Sequence, residues 1–227
     1  MSLQHSPSIV TNGLVFYVDA ANQKSYSGSG NTWFDLSTSK NNGTLVNSPT
    51  YSSSNNGTII FNGSNTYINV ALVTSSANNV CLSAWFNSYN VNQAGQGIIH
   101  NGSDAAGTGY GFFINNESTT SGTIKILYSG VVWIETSFQT VSNTWYQGTM
   151  NILSDGSNQF YINGKLVFTG TSNVIHAPTL YTNIGRNDYA AARYFNGNIS
   201  NAMIYNRVLS SSEVQQNFNA LRGRYGI

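Results

Sequence analysis

WYQGTM (Trp145–Met150), QFYINGKLVFTG (Gln159–Gly170), TNIGR (Thr182–Arg186) and YFNGNISNAMIYNRVLSSSEVQQNF (Tyr194–Phe218) follow one another toward the end of the chain. The first three are short runs rich in Tyr, Phe, Ile, Val and Thr, residue types that suit a pleated, half-buried surface. Asn163-Gly164 sits between two such runs and supplies the positive φ angles of a tight hairpin. Gly185 hinges the TNIGR strand. Ser210 followed by Glu213 is a capping box, and Val214, Phe218 and Leu221 then fall on one helical face. The order is therefore strand, hairpin, glycine-hinged strand and a helix that closes the chain.

Working outward, Asn-Gly recurs at Asn12, Asn42, Asn56, Asn62, Asn101, Asn163 and Asn196, each a hairpin-turn signal. Between these signals Leu14–Val18, Thr58–Phe61, Tyr67–Val70, Cys81–Phe86, Gly111–Ile114, Ile124–Tyr128, Val131–Thr136 and Phe160–Ile162 read as short strands. Turn signals about every ten residues favour a sandwich over alternating α/β units. The expected fold is all-β, an antiparallel β-sandwich of jelly-roll type with one short C-terminal helix. Residues 1–8 read as a flexible tail and residues 9–227 as a single domain, because no composition shift marks a linker.

Only 7% of the residues are charged, against roughly 25% in an ordinary domain. Hydrophobic residues at 40% and aromatic residues at 13% are ample for a core, which excludes disorder. A formal net charge of +1 gives no drive toward nucleic acid, and Arg222 and Arg224 read as a solvated tail. No apolar run is long enough to insert in a membrane. The opening MSLQHSPSIVTNGLVFYVDA lacks the basic start and apolar core of a signal peptide. The single cysteine, Cys81, lies on an expected strand and reads as a buried, inert thiol. A protein made in a reducing cytoplasm that later works on a virion surface or elsewhere outside a cell fits these features.

Four blocks carry a family resemblance: IIFNGSNTYINV (Ile59–Val70), LSAWFNS (Leu82–Ser88), NTWYQGTMNI with QFYINGKLVFTG, and NIGR with FNGNISNAMIYNRVLSSSEVQQNF. In order and spacing they resemble the laminin-G-like branch of the concanavalin A-like lectin/glucanase superfamily. The resemblance implies a concanavalin A-like jelly roll and glycan or surface recognition. The opening GLVFYVDAANQKSYSGSGNTWFDLS is similar to laminin-G-like modules in tailed-phage structural proteins, which implies adhesion or decoration on a virion. Many relatives carry an acid just after the isoleucine of Gly-x-Ile. Here Gly197-Asn198-Ile199 is followed by Ser200, which puts in doubt any loop or cation that the acid would hold.

The superfamily includes glucanases, and glycoside hydrolysis uses a pair of facing carboxylates. The eight acidic residues are Asp19, Asp35, Asp104, Glu117, Glu135, Asp155, Asp188 and Glu213, and no two stand at strand-neighbour spacing. Only Glu135 lies within an expected strand. There is no Gly-x-Ser-x-Gly elbow. His5, His100 and His176 are dispersed, read as tail, loop or edge residues, and make a poor zinc set with one cysteine. No enzyme is expected, and a polysaccharide-degrading hydrolase is the least favoured reading. Asn101-Gly102-Ser103-Asp104 and Asn187-Asp188 offer oxygens to the calcium that laminin-G-like folds sometimes hold, but few carboxylates cluster. No cofactor is expected, with calcium the one ion the residues leave open.

Sugar binding needs less: an aromatic face for the ring and a few polar side chains for its hydroxyls, on exposed loops. Asn101, Asp104 and Tyr110, then Trp133, then Arg186, Asn187, Asp188, Tyr189, Arg193 and Tyr194 are the candidate ligand-binding residues. Trp133, flanked by Val131, Val132 and Ile134, reads equally as core, and Asp188 with Arg186 or Arg193 reads equally as a local ion pair. Trp33, Trp85 and Trp145 are expected to fill the core. The leading expectation is a non-enzymatic lectin-like module, binding cell-surface glycan or polysaccharide weakly through rim loops on a phage virion. The alternative is a structural decoration or fibre protein that touches only other virion proteins. Weak sites suit multivalent display or a homo-oligomer.

Overall fold

The Asn163-Gly164 turn forms as read, with φ of 51° at Asn163 and 78° at Gly164, the left-handed pair that a two-residue hairpin needs. It belongs to a computed structural model that describes residues 7–189 and 193–227. The strands begin with β1 (Leu14–Asp19), β2 (Thr32–Trp33), β3 (Gly43–Val46), β4 (Thr50–Ser52), β5 (Thr58–Asn62) and β6 (Tyr67–Ala71). Next come β7 (Val80–Ser88), β8 (Gln96–Asn101), β9 (Tyr110–Ile114), β10 (Thr123–Tyr128) and β11 (Val132–Gln139). The last are β12 (Tyr146–Ile152), β13 (Asn158–Ile162), β14 (Lys165–Gly170), β15 (Tyr181–Ile184) and β16 (Asn196–Tyr205), followed by helix α1 (Ser211–Leu221).

These strands make two antiparallel eight-stranded sheets. The first runs β14-β13-β12-β7-β16-β5-β4, with β1 also on β16, and the second runs β11-β10-β9-β8-β15-β6-β3-β2. The chain is thus an all-β sandwich with one short C-terminal helix. Strand β16 pairs with β7 along one edge and divides its other edge between two partners: Asn196–Ile199 pairs with β5 and Asn201–Tyr205 with β1. Ser200 is the bulge between them. Its hydroxyl donates to Gly57 O (3.0 Å) and its carbonyl accepts from Ala20 N–H (2.9 Å). After Gly197-Asn198-Ile199 this chain thus has a buried hydroxyl that ties two loops together.

Between the sheets lies the main core, with Phe16, Trp33, Phe61, Phe86, Phe112 and Phe160 wholly buried. A second core lies on the outer face of the first sheet, beneath α1. There Trp85 stacks on Phe218 (centroids 5.7 Å apart) and on Tyr225 (4.0 Å), with Cys81 buried beside them and its thiol pKa raised by burial. Trp145 is half-buried at the edge of this cluster and donates Nε1–H to Asn55 Oδ1 (3.2 Å). Helix α1 has its capping box, and Val214, Phe218 and Leu221 are its buried face.

Some local readings differ. Gly43 and Gly197 lie inside strands rather than in turns; a Cβ on Gly43 would stand 2.6 Å from Ile68 Cγ2, so the glycine answers to close packing. His100 is wholly buried in β8, not in a loop, with ring nitrogens bonded to Gly102 O (3.0 Å) and Ser129 Oγ (2.9 Å). His5 and most of the expected tail lie outside the described residues, while Ser8 O accepts from Gln216 Nε2 (2.8 Å). No helix among the described residues is long and apolar enough to cross a membrane.

Candidate functional site

The outer face of the second sheet is read directly from its register. Trp133, Leu127, Gly111, His100, Asn183, Asn69 and Thr44 stand opposite one another on successive strands and so share one face. Glu135, Lys125, Phe113 and Gly97 form the adjoining row. Glycine at 97 leaves room above the sheet: a Cβ there would lie 2.6 Å from the carbonyl carbon of Arg186. The chain that leaves β15 settles into this gap. Gly185 turns it with φ of 81°, Phe195 N–H closes the loop on Gly185 O (2.8 Å), and Gly97 N–H donates to Arg193 O (3.1 Å).

Asp188 fastens that loop to the one after β8. Its carboxylate accepts from Ser103 Oγ (2.5 Å), Tyr181 OH (2.5 Å), Asp104 N–H (2.7 Å) and Ala105 N–H (3.3 Å). Desolvation pushes its pKa upward, but these hydrogen bonds outweigh it and hold the group below the ordinary carboxylate value. Asp188 makes no ion pair with Arg186 or Arg193; the second arginine finds other partners. Arg193 Nη1 lies 2.5 Å from Asp104 Oδ2, and Nη2 pairs with Glu117. Asn187 Nδ2 donates to the same Asp104 oxygen (2.8 Å).

Two aromatic rings enclose the Arg193 guanidinium, Tyr189 at 4.4 Å and Trp133 at 4.9 Å from their centroids. Trp133 in turn meets Phe113 edge to face at 5.0 Å, which fixes its ring. Together Trp133, Tyr189, Arg193, Asp104, Glu117 and Val131 line a cleft of about 460 Å³. Tyr189 remains 46% exposed within it. Arg186 and Tyr194 stand outside this cleft; the Arg186 guanidinium lies 3.7 Å over the ring of Tyr67, with Tyr194 6.0 Å away. A larger depression of about 840 Å³ beside Arg222 and Arg224 has no aromatic residue in its lining among the described residues.

Of the residues expected to meet a ligand, the fold brings Asp104, Trp133, Tyr189 and Arg193 into one place. Asn187 and Asp188 support them from beneath. Asn101 and Tyr110 must be corrected: both are wholly buried on the core side of their strands. Asn101 donates to Thr74 O (2.8 Å) and accepts from Thr182 Oγ1 (2.7 Å), and Tyr110 OH donates to Ser76 O (2.8 Å). Strand alternation explains the error, since His100 and Gly111 between them take the outer face. Glu117 was not foreseen, because its partner is reached only through the fold.

Calcium does not fit these residues. Asp104 and Asp188 approach one another, but both Asp188 oxygens and Asp104 Oδ2 already face N–H, O–H or guanidinium donors. Among the described residues no three His, Cys, Asp or Glu side chains gather as a metal set.

Residues 62–215 match the family model described as the concanavalin A-like lectin/glucanases superfamily, and the chain belongs to that family. A search among curated proteins finds no match. Among solved structures, domain 4 of AbnA, an extracellular arabinanase of Geobacillus stearothermophilus solved with arabinotriose, is similar at TM-score 0.72 and 18% identity. That likeness covers 92% of this chain and 99% of the domain. Trypanosoma rangeli sialidase, in complex with sialic acid, has TM-score 0.72 at 14% identity, covering 97% of this chain and 36% of the sialidase. The binding domain of Paraclostridial Mosquitocidal Protein 1 has TM-score 0.68 at 19% identity, covering 92% of this chain and 52% of that one. At these identities the likeness is one of fold.

Proposed function

We propose that the chain is a non-enzymatic carbohydrate-recognition module that holds a saccharide against Tyr189 and Trp133 in the cleft over the second sheet. The observation that carries this reading is the joining of a half-open aromatic face to a fixed polar rim in which Glu117 meets solvent, with Arg193 and Asp104 buried behind it. A sugar ring offers C–H groups to an aromatic face and hydroxyls to such a rim. The similarity to an arabinanase domain solved with arabinotriose supports the ligand class. Guanidinium stacking holds the rings in place before a ligand arrives, which lowers the ordering entropy of binding.

Catalysis is left out for a chemical reason. Glycoside hydrolysis needs a carboxylic acid that can give up a proton. Asp104 and Glu117 are both engaged by Arg193, and Glu135 by Lys125 (2.6 Å), so none of the three stands as an unpaired acid beside the cleft. The setting proposed is the surface of a tailed-phage virion, supported by the resemblance of the opening segment and by the gain that display in many copies gives a weak site. Absence of the chain from purified particles of its source would overturn that setting.

The test of the site is glycan binding by the chain immobilised at high density. Wild type is expected to retain neutral polysaccharide and release no reducing ends from it. Tyr189→Ala is expected to lose retention at unchanged melting temperature. Full retention by that variant would remove the site, and release of reducing ends would remove the non-enzymatic reading.

A further inference from the structure

We infer that the cleft selects uncharged polysaccharide and turns away anionic glycans such as uronate or sialic acid polymers. The inference rests on the carbohydrate reading above and deepens it. Four carboxylates (Asp104, Glu117, Glu135, Asp188) stand on this face against three cations (Lys125, Arg186, Arg193). Which end of each ion pair meets solvent is more decisive than the sum. The Lys125 side chain is 5% exposed while its partner Glu135 is 58% exposed. The Arg193 side chain is 4% exposed while Glu117 is 37% exposed.

An approaching ligand therefore meets the carboxylates, with the cations buried behind them. Asp188 adds a charge whose hydrogen bonds all come from neutral donors. Arg186 is the cation left over, and its guanidinium sits 3.7 Å over the Tyr67 ring, away from the cleft lining. A ligand carboxylate that reached Arg193 would have to displace Asp104 or Glu117 and leave it without its partner. A neutral ring needs no such exchange. Its hydroxyls can donate to Glu117 while its apolar face covers Tyr189.

Retention on neutral polysaccharides (arabinan, galactan, β-glucan) is compared with retention on polygalacturonate, polysialic acid and hyaluronan, at low and at high salt. Neutral polymers are expected to bind with affinity unchanged by salt, and anionic ones to be rejected most strongly at low salt, where charges are least screened. Glu117→Gln is expected to raise affinity for the anionic polymers roughly two- to fivefold, the size of one exposed charge interaction, and to move neutral binding less, because the glutamine oxygen still accepts from a sugar hydroxyl. Its melting temperature shows whether the fold is intact. Preference for an anionic polymer would overturn the inference and leave the carbohydrate reading standing. Failure to bind either class would overturn both. Unchanged rejection of anions by folded Glu117→Gln would remove Glu117 as their excluder and overturn the inference.

Discussion

Asp188 is an acceptor surrounded by donors. Two hydroxyls and two backbone N–H groups from the neighbouring loop converge on its two oxygens. An asparagine of the same shape would turn an NH2 toward at least one of those donors and leave it facing another hydrogen. Asp188→Asn is therefore expected to lower stability by about 1–3 kcal/mol, the cost of leaving partly buried polar groups unsatisfied. Denaturant unfolding measures this, and a variant as stable as wild type would show that the carboxylate does not fasten the loop. Legibility at this scale followed side-chain type. Tyr189, Arg193, Trp133 and Asp104 could be chosen because an aromatic face and polar groups are what a sugar needs. The partners of Arg193 could not, since Glu117 and Asp104 reach it across loops that are distant in sequence. Asn101 and Tyr110 failed for a different reason: a residue at a strand end can face either side until its register is known.

Elements were legible where alternation or turn chemistry is strong. The Asn163-Gly164 hairpin, the capped helix and the strands about Trp85, Phe112 and Ile126 all follow from local pattern. Strands β2, β3, β4 and β8 carry no clear signal, because three are short pieces in an Asn/Ser/Gly-rich context and the fourth, QGIIHN, does not alternate. Strand β8 matters most for the site, since its Gly97 lets the Arg186–Asn187 backbone rest on the sheet. Gly97→Ala places a methyl group against that backbone, which must move away. The expected effect is a loss of about 1–3 kcal/mol from overpacking, together with weakened glycan retention, because Arg193 is hung from the Gly97 N–H. Thermal melting and the retention measurement read the two effects separately. A variant with both values unchanged would mean that the loop does not depend on this close approach.

At the scale of the whole molecule, the sparse charge that marked the sequence becomes a small set of well-placed ion pairs, and stability should respond to pH through few groups. Glu213 is the clearest at the acid end. The Arg207 side chain, against a smaller opposing effect of desolvation, brings its pKa from the ordinary 4.5 to about 2. Because the folded value is depressed, its contribution is present above the unfolded pKa and lost as pH falls through the folded one. Asp188 is shifted in the same direction. At the alkaline end the sign reverses: burial raises Tyr110, Tyr205 and Tyr225, and pushes Tyr128 up to about 12. Their neutral forms support the fold below the ordinary tyrosine value of about 10, and that support is lost as pH rises through the folded values. Urea unfolding from pH 2 to 11 is expected to show a plateau from about pH 7 to pH 9 with a decline on each side, the acid side opening where burial keeps His100 neutral in the fold while the unfolded chain takes up its proton. Glu213→Gln should flatten the acid limb and leave the alkaline limb as it is. An acid limb of equal slope in variant and wild type would mean that the Arg207–Glu213 pair at the helix start contributes nothing to the fold, and that the decline belongs to His100 and to carboxylates elsewhere.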